Sequence, residues 1–377
     1  MNEMYSVNSK EYIELLKVCF ETKIPLYVYG GAGVGKSEIP TQVFPSIAKS
    51  QNREFIKWTD LTCDQKIVCI KNPEKYFVFC DQRIGQMDMT DLRGIPNMIN
   101  KEILETIPFS WIVYFTQKEA SGVIFFDELN LAPPIVAGQA YQIIHDRVIS
   151  DRKLSKDVWV FGAGNRACDQ ANVFEMPFPL RDRFCECELN IDAKTWISWA
   201  SANNINPHLI SFINWKESYL YKINKDSSVK NSTPRGIVRA SKLIGDLDIV
   251  KDRESINRLV SISVGTAFAC EFEAYIKHYN TLNWDMIYKN PKSILELSID
   301  QVFALIGGMA EHFKKDQNVK CINKIMPVIL ELANKHPDIA IVAITFIKDI
   351  NKELFVEKAL ANKKFKKIAN EILKYII

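Results

Sequence analysis

No run of 18 or more apolar residues occurs anywhere in the 377 positions, which excludes a hydrophobic membrane-spanning helix. The nine cysteines (positions 19, 63, 69, 80, 168, 185, 187, 270 and 321) are odd in number and scattered, and no C-x-x-C occurs among them. Neither a disulfide framework nor a zinc module is expected from that pattern. Cys185 and Cys187 bracket Glu186, but two thiols are too few for a metal site, and alternation along a strand accounts for them. Charge of one sign is missing too: 48 basic against 45 acidic residues leave a net +3, too balanced for bulk attraction to nucleic acid. The first residues, MNEMYSVNSKEYIELL, put acids and polar groups where a secretory signal needs a basic end and an apolar stretch. Internal repeats and low-complexity linkers are absent, and no guanine-reading N-K-x-D stands in a suitable place. With 47% hydrophobic and 25% charged residues, the expectation is a globular, reduced, cytoplasmic enzyme of two or three domains.

What is present is most concentrated in residues 26–37, LYVYGGAGVGKS. A four-residue apolar strand runs into Gly30-x4-Gly35-Lys36-Ser37, a phosphate-binding loop. Gly30, Gly31, Gly33 and Gly35 let main-chain N–H groups turn inward and approach phosphate oxygens closely. The helix that follows directs its positive end at the same oxygens. Lys36 reaches the β- and γ-phosphates and Ser37 ligates Mg²⁺. Gly30, Gly31, Ala32, Gly33, Val34, Gly35, Lys36, Ser37 and Glu38 are the candidate ATP-binding residues.

Further short apolar runs follow at 76–80 (YFVFC), 123–126 and 158–163 (VWVFGA), separated by helical spacing such as Val136, Ala140 and Ile143. Such alternation predicts a parallel sheet covered by helices on both faces. Asn8 and Glu11 have the spacing of a reciprocal helix cap. Pro40 and Pro45 predict that the helix after Ser37 is short or bent. Residues 84–111 read as a hairpin or loop insertion. After about residue 190 the pattern becomes helical, with amphipathic segments at 235–246, 255–279 and 299–314. The predicted organisation is an α/β core over 1–190, a helical lid over 191–290 and a C-terminal helical extension over 291–377.

The run ending in Asp127-Glu128 carries two carboxylates to a strand end, beside the phosphate loop. Asp127 is the acidic partner of Ser37 for Mg²⁺, and Glu128 the base for an attacking water. Asn165 ends the next strand, where it meets either the γ-phosphate or only its own turn. Arg181 and Arg183, in PLRDRF, are candidates for stabilising the charge that builds during phosphoryl transfer, or else ordinary surface ion pairs. Arg235 follows Ser232-Thr233-Pro234 at a helix start.

These elements, in this order, resemble the AAA+ ATPases, and closely their MoxR-like branch of phage or prophage type. The matching stretches are GGAGVGKS (30–37), TDLRGIP (90–96), GVIFFDELNLAPP (122–134), HDRVISDRKL (145–154), GAGNR (162–166), MPFPLRDRF (176–184) and STPRG (232–236). The resemblance covers roughly residues 10–280. It implies Walker A at Lys36 and Ser37, Walker B at Asp127 and Glu128, and sensor 1 at Asn165. It also implies an arginine finger at Arg183, with Arg181 sharing or taking that role, and sensor 2 at Arg235. It further implies ATP with Mg²⁺, a ring that is usually hexameric, and protein clients that include von Willebrand factor A domain proteins. A DNA-translocating relative is the alternative. Met87, Met89, Ile95, Met98 and Ile99 are then either substrate-gripping or a cover for the core edge. The C-terminal segment 351–377 carries seven lysines and three glutamates, with Phe365, Ile368, Ile372 and Tyr375 on one stripe. It reads as a solvated helix face, or as a surface for a membrane or an acidic partner.

Overall fold

The computed structural model describes residues 4–99, 104–166, 174, 176, 178–224 and 229–362. The basic C-terminal stripe from Lys363 to Tyr375 lies outside them. The chain divides into two compact units, Met1–Ile191 and Asp192–Ile377.

The first unit is built on eleven short strands: β1 (Ser6–Val7), β2 (Leu26–Tyr29), β3 (Glu54–Lys57), β4 (Tyr76–Arg83), β5 (Ile95–Met98), β6 (Leu104–Ile107), β7 (Ser121–Asp127), β8 (Val148–Ile149), β9 (Arg152–Lys153), β10 (Asp157–Gly164) and β11 (Cys185–Leu189). Seven of them form one sheet in the order β1-β11-β2-β10-β7-β4-β3, every pair parallel. This is an α/β architecture, a parallel sheet between helices, as the alternation of apolar runs and helical spacing predicts. The strands are apolar on both faces because both are covered. One face carries Phe77, Phe79, Phe125, Trp159 and Phe161, with Phe20 and Phe44 of the helices Ser9–Thr22 and Glu38–Ser50 packed against it. Trp159 and Phe161 stack at 4.5 Å. The other face, with Val78, Cys80, Ile124, Phe126 and Val160, packs on Trp111, Ile112 and Phe115 and on Val136, Ala140 and Ile144.

Local chemistry explains most element ends. Asn8 accepts from the N–H groups of Lys10 and Glu11 while Glu11 accepts from Asn8 N–H, the predicted reciprocal cap. The helix after the phosphate loop is not short, running thirteen residues from Glu38 to Ser50. Pro40 falls in its first turn, where the missing N–H has no acceptor within the helix anyway, so only Pro45 is truly internal. Residues 84–111 do contain a hairpin, β5 with β6, but not solely. Ile84, Leu92 and Trp111 are buried, and Met87 and Met89 lean on the core. Of the five candidate gripping residues, Ile95, Met98 and Ile99 are exposed, Met98 to 70%.

The second unit is helical. The expected segment 255–279 proves to be two helices, Arg253–Val264 and Thr266–Asn280, broken at Gly265, whose φ of +102° no side-chain-bearing residue adopts cheaply. Its core holds a polar knot. Buried His208 places Nε2 3.0 Å from Glu311 Oε2, and its Nδ1 lies 3.2 Å from the Tyr275 hydroxyl. Tyr279 also donates to Glu311 at 3.2 Å, and Lys315 donates at 2.8 Å. Burial alone raises the Glu311 carboxyl, but the hydrogen bonds and charges of His208 and Lys315 outweigh it and hold the group well below the usual range.

A carboxyl depressed in the folded state adds stability above its unfolded value, about 4.3, and that stability fades as pH falls further. Melting of the protein from pH 7 down to pH 3 is therefore expected to lose stability below about pH 4.5. Glu311→Gln should cost roughly 1–3 kcal/mol at pH 7 and flatten the acid limb. An unchanged acid limb in the variant would contradict the assignment.

Candidate nucleotide-binding site

Residues 30–37 leave β2 at the C-terminal edge of the sheet, between β11 and β10. Gly35 has φ +108°, a left-handed turn that brings the loop into the helix beginning at Glu38. Val34 is buried as the loop's apolar anchor, while Ala32 and Glu38 are exposed. Lys36 is only 7% exposed. Its ammonium donates to Gly30 O (2.6 Å), Gly31 O (3.0 Å) and Asn165 Oδ1 (3.1 Å). From below, the buried Tyr12 hydroxyl donates to Lys36 O at 3.1 Å, so the N-terminal helix holds the loop's main chain.

The acidic strand β7 ends at Asp127, whose Oδ2 accepts from Ser37 Oγ at 2.5 Å and whose Oδ1 accepts from Glu128 N–H at 2.9 Å. Glu128 has φ +54°, a left-handed conformation that costs a residue with a side chain on the order of 1–3 kcal/mol. It persists because the Asp127 carboxylate holds its N–H and Leu131 N–H holds its carbonyl at 2.9 Å, above the fully buried Leu129. The kink takes Glu128 out of the strand's alternation.

Two residues absent from the sequence reading join the site. Asn130, 5% exposed, donates to Asn165 O (2.7 Å) and accepts from Asn165 N–H (3.0 Å). Asp81 lies on β4, next to β7, in a register that pairs Arg83 with Asp127. Its Oδ1 is buried and makes no hydrogen bond among the described residues. Burial first, then the charges of Asp127 and Glu128 against the opposing Arg83, push its carboxyl up to about 6. The only sequence signal for Asp81 is an acid interrupting a strand's apolar run; Asn130 sits inside the DELN stretch without a signal of its own.

Ser37 and Asp127, in contact at 2.5 Å, offer oxygen-only, electronegative donors, with the unpaired Asp81 oxygen on the adjacent strand, and this chemistry fits Mg²⁺. Ser37 and Asp127 are the residues that would hold the ion.

The sheet thus brings together Lys36, Ser37, Asp127, Glu128 and Asn165. Of the candidate arginines, Arg181 and Arg183 immediately precede β11 in the first unit. Arg181 makes a fork with Glu186 of its own chain: Nε donates to both carboxylate oxygens at 3.1 Å and Nη2 to one at 2.7 Å. Glu186 also accepts from the Tyr29 hydroxyl at 3.3 Å. Arg183 is exposed and has no hydrogen bond or ion pair among the described residues. Arg235 belongs to the second unit. There it is exposed in the first turn of the helix Pro234–Ile244, whose cap is Thr233 accepting from Gly236 N–H at 3.2 Å. Among the described residues no group of three or more His, Cys, Asp or Glu is clustered to hold a metal by itself, Cys185 and Cys187 included. No helix among them is long and apolar enough to cross a membrane.

No family model and no curated protein matches this chain. Among solved structures it is similar to the RuvB Holliday junction branch migration motor of Thermotoga maritima, at 13% identity over 87% of this chain and 75% of that one, with TM-score 0.26. It is also similar to ATP-bound NtrX of Brucella abortus (10% identity, 84% and 65% covered, TM-score 0.34) and to ORC2 of Aeropyrum pernix (11% identity, 80% and 74% covered, TM-score 0.34). Likenesses this low assign neither a family nor an activity.

The raised Asp81 carboxyl has a sign that can be checked. An acid raised in the folded state withholds stability once pH climbs past its unfolded value near 4, and the full penalty is present above about 6. Asp81→Asn is expected to stabilise the nucleotide-free protein by roughly 2–3 kcal/mol at pH 7.5, with the gain vanishing near pH 4. Equal melting of variant and parent at both pH values would refute this.

Proposed function

We propose that this chain is an ATP-hydrolysing motor of the AAA+ class, MoxR-like, that works as a ring and remodels partner proteins. The observation that carries the reading is the 2.5 Å contact between Ser37 and Asp127, with Lys36 on Asn165 and Glu128 kinked beside them. A mere nucleotide switch has no use for Glu128, and a small-molecule kinase has none for Asn165, Arg183 and Arg235 together.

In this reading Lys36 exchanges the carbonyls of Gly30 and Gly31 for the β- and γ-phosphates of ATP. Ser37 and Asp127 would hold Mg²⁺, which would supply neutralisation of the phosphate charge. Glu128 takes a proton from the attacking water as its oxygen bonds to the γ-phosphorus and the bond to the β-phosphate oxygen breaks, leaving ADP and phosphate. Asn165 orients the water and γ-phosphate. Arg183 serves a neighbouring copy's nucleotide, while Arg181 holds Glu186. Residues 191–290 act as the lid that supplies Arg235, and 291–377 as an extension. The exposed Ile95, Met98 and Ile99 grip the client, for which a von Willebrand factor A domain protein is the candidate, and the ring is a hexamer in the cytoplasm. The hairpin of β8 and β9 exposes Arg152 and Lys153, which favours a DNA-translocating motor as the second reading.

Glu128→Gln is expected to bind ATP yet lose at least about a hundredfold in kcat. Purified in ATP and Mg²⁺ from its native cells, with and without nuclease, it should retain a stoichiometric protein client. Material lost on nuclease treatment, with no protein client, would favour the DNA motor instead.

Arg183→Ala should abolish turnover, as should Lys36→Ala, whereas a mixture of the two should regain part of it. Arg181→Ala should cost about 0–1 kcal/mol of stability and leave kcat within a few-fold. Failure of the mixture to recover activity would refute the trans role of Arg183.

A further inference from the structure

The side-chain amide of Asn130 is spent entirely on the main chain of residue 165. Its Nδ2 donates to Asn165 O at 2.7 Å while its Oδ1 accepts from Asn165 N–H at 3.0 Å. One hydrogen bond would leave residue 165 free to rock about it; two, made by opposite ends of one planar amide to the peptides on either side of its Cα, fix both position and tilt. The clamp is itself held, because Asn130 O accepts from Phe174 N–H at 2.8 Å and the residue is buried. Space for it is kept by Gly164. A Cβ there would fall 2.5 Å from Asn130 Oδ1 and 2.2 Å from the Tyr27 hydroxyl, closer than any side chain permits.

What the clamped residue does is visible on its other side, where Asn165 Oδ1 accepts from the Lys36 ammonium at 3.1 Å. Asn130 also belongs to the short turn Leu129–Leu131, whose preceding residue is the left-handed Glu128. Water-activating acid, sensor and phosphate-loop lysine are therefore tied through one buried amide that touches none of the reacting atoms. We propose that Asn130 is a positioning residue for the hydrolytic step, acting through Asn165. The proposal rests on the ATPase reading above.

A purely structural Asn130 would lower stability and nothing else, and its loss would combine independently with loss of the Asn165 side chain. Asn165→Ala keeps the main chain that Asn130 grips, so a cycle of single and double variants separates the two roles. Steady-state ATP hydrolysis, affinity for a non-hydrolysable ATP analogue and thermal melting are measured on the full chain for parent, N130A, N165A and N130A/N165A. N130A is expected to lose about ten- to a hundredfold in kcat, since small misplacement of a catalytic group has that effect, with analogue affinity within about threefold. In the N165A background, adding N130A should lower kcat by less than about twofold. If N130A melts below the assay temperature, N130D, which keeps the shape and the acceptor for Asn165 N–H but not the donor, replaces it in the same cycle.

Losses that multiply in the double variant, or an N130 variant turning over at the parent rate, would overturn the proposal while leaving the ATPase reading intact. A parent chain that hydrolyses no ATP would overturn both.

Discussion

The contact between Ser37 and Asp127 joins two strand ends that are not neighbours in the sheet. β2 and β7 are separated by β10, so the 2.5 Å distance depends on two registers at once. Gly162 is the shared reference, paired with Tyr27 on one side and Phe126 on the other. From that level β7 continues one residue to Asp127, β2 two residues to Tyr29, and β10 two residues to Gly164, so all three stop at the same edge. A slip of one residue in either pairing would turn every side chain to the opposite face and carry Asp127 or Asn165 away from the loop. The aromatic layer of Phe79, Phe125, Trp159 and Phe161 penalises such a slip, because each ring would leave the covered face it fills. Packing far from the site in chemical character thus sets its geometry.

The site held this way is costly in isolation. Three carboxylates, Asp81, Asp127 and Glu128, gather at one edge, one with an unpaired buried oxygen, and Glu128 is strained. Among the cations here, Arg83 is paired in register with Asp127, and the Lys36 ammonium donates to two loop carbonyls and Asn165. Both imbalances point the same way. Excess negative charge favours a dication, and an ammonium parked on neutral carbonyls exchanges them for phosphate oxygens at modest expense. Strain and unmatched charge kept at a site, and offset by the surrounding core, are what a preorganised electrostatic site requires.

Much of this was legible in the sequence, for a physical reason. The phosphate loop and the acidic strand end are local: glycines, a lysine and a hydroxyl within eight positions, and two acids after an apolar run. Helix caps such as Asn8 with Glu11 are local as well. What was not legible depends on partners that sequence distance hides. Asn130 grips main chain 35 positions away, and main chain carries no residue signature. Asp81 is orphaned by its place on β4 beside β7, not by its neighbours in the chain. Pro40 looked like a helix breaker until its position in the first turn was known, and one glycine, Gly265, split what periodicity joined.

The two arginines of PLRDRF illustrate the same limit with a functional consequence. They are equivalent as charges in sequence, two residues apart. Glu186 lies where it accepts from both Nε and Nη2 of Arg181, and Tyr29, at the end of β2, shares that carboxylate. Arg181 is therefore engaged within its own unit, and freeing it would leave Glu186 without that partner at the end of β2. Arg183 makes no such pair among the described residues. In a ring, an arginine that is to enter a neighbour's site must be unengaged at home, or each assembly step would first have to break an internal ion pair. In the ring proposed above, this division of labour would let the first unit complete its own nucleotide edge while leaving one guanidinium for the neighbour. Under that proposal hydrolysis would depend on assembly.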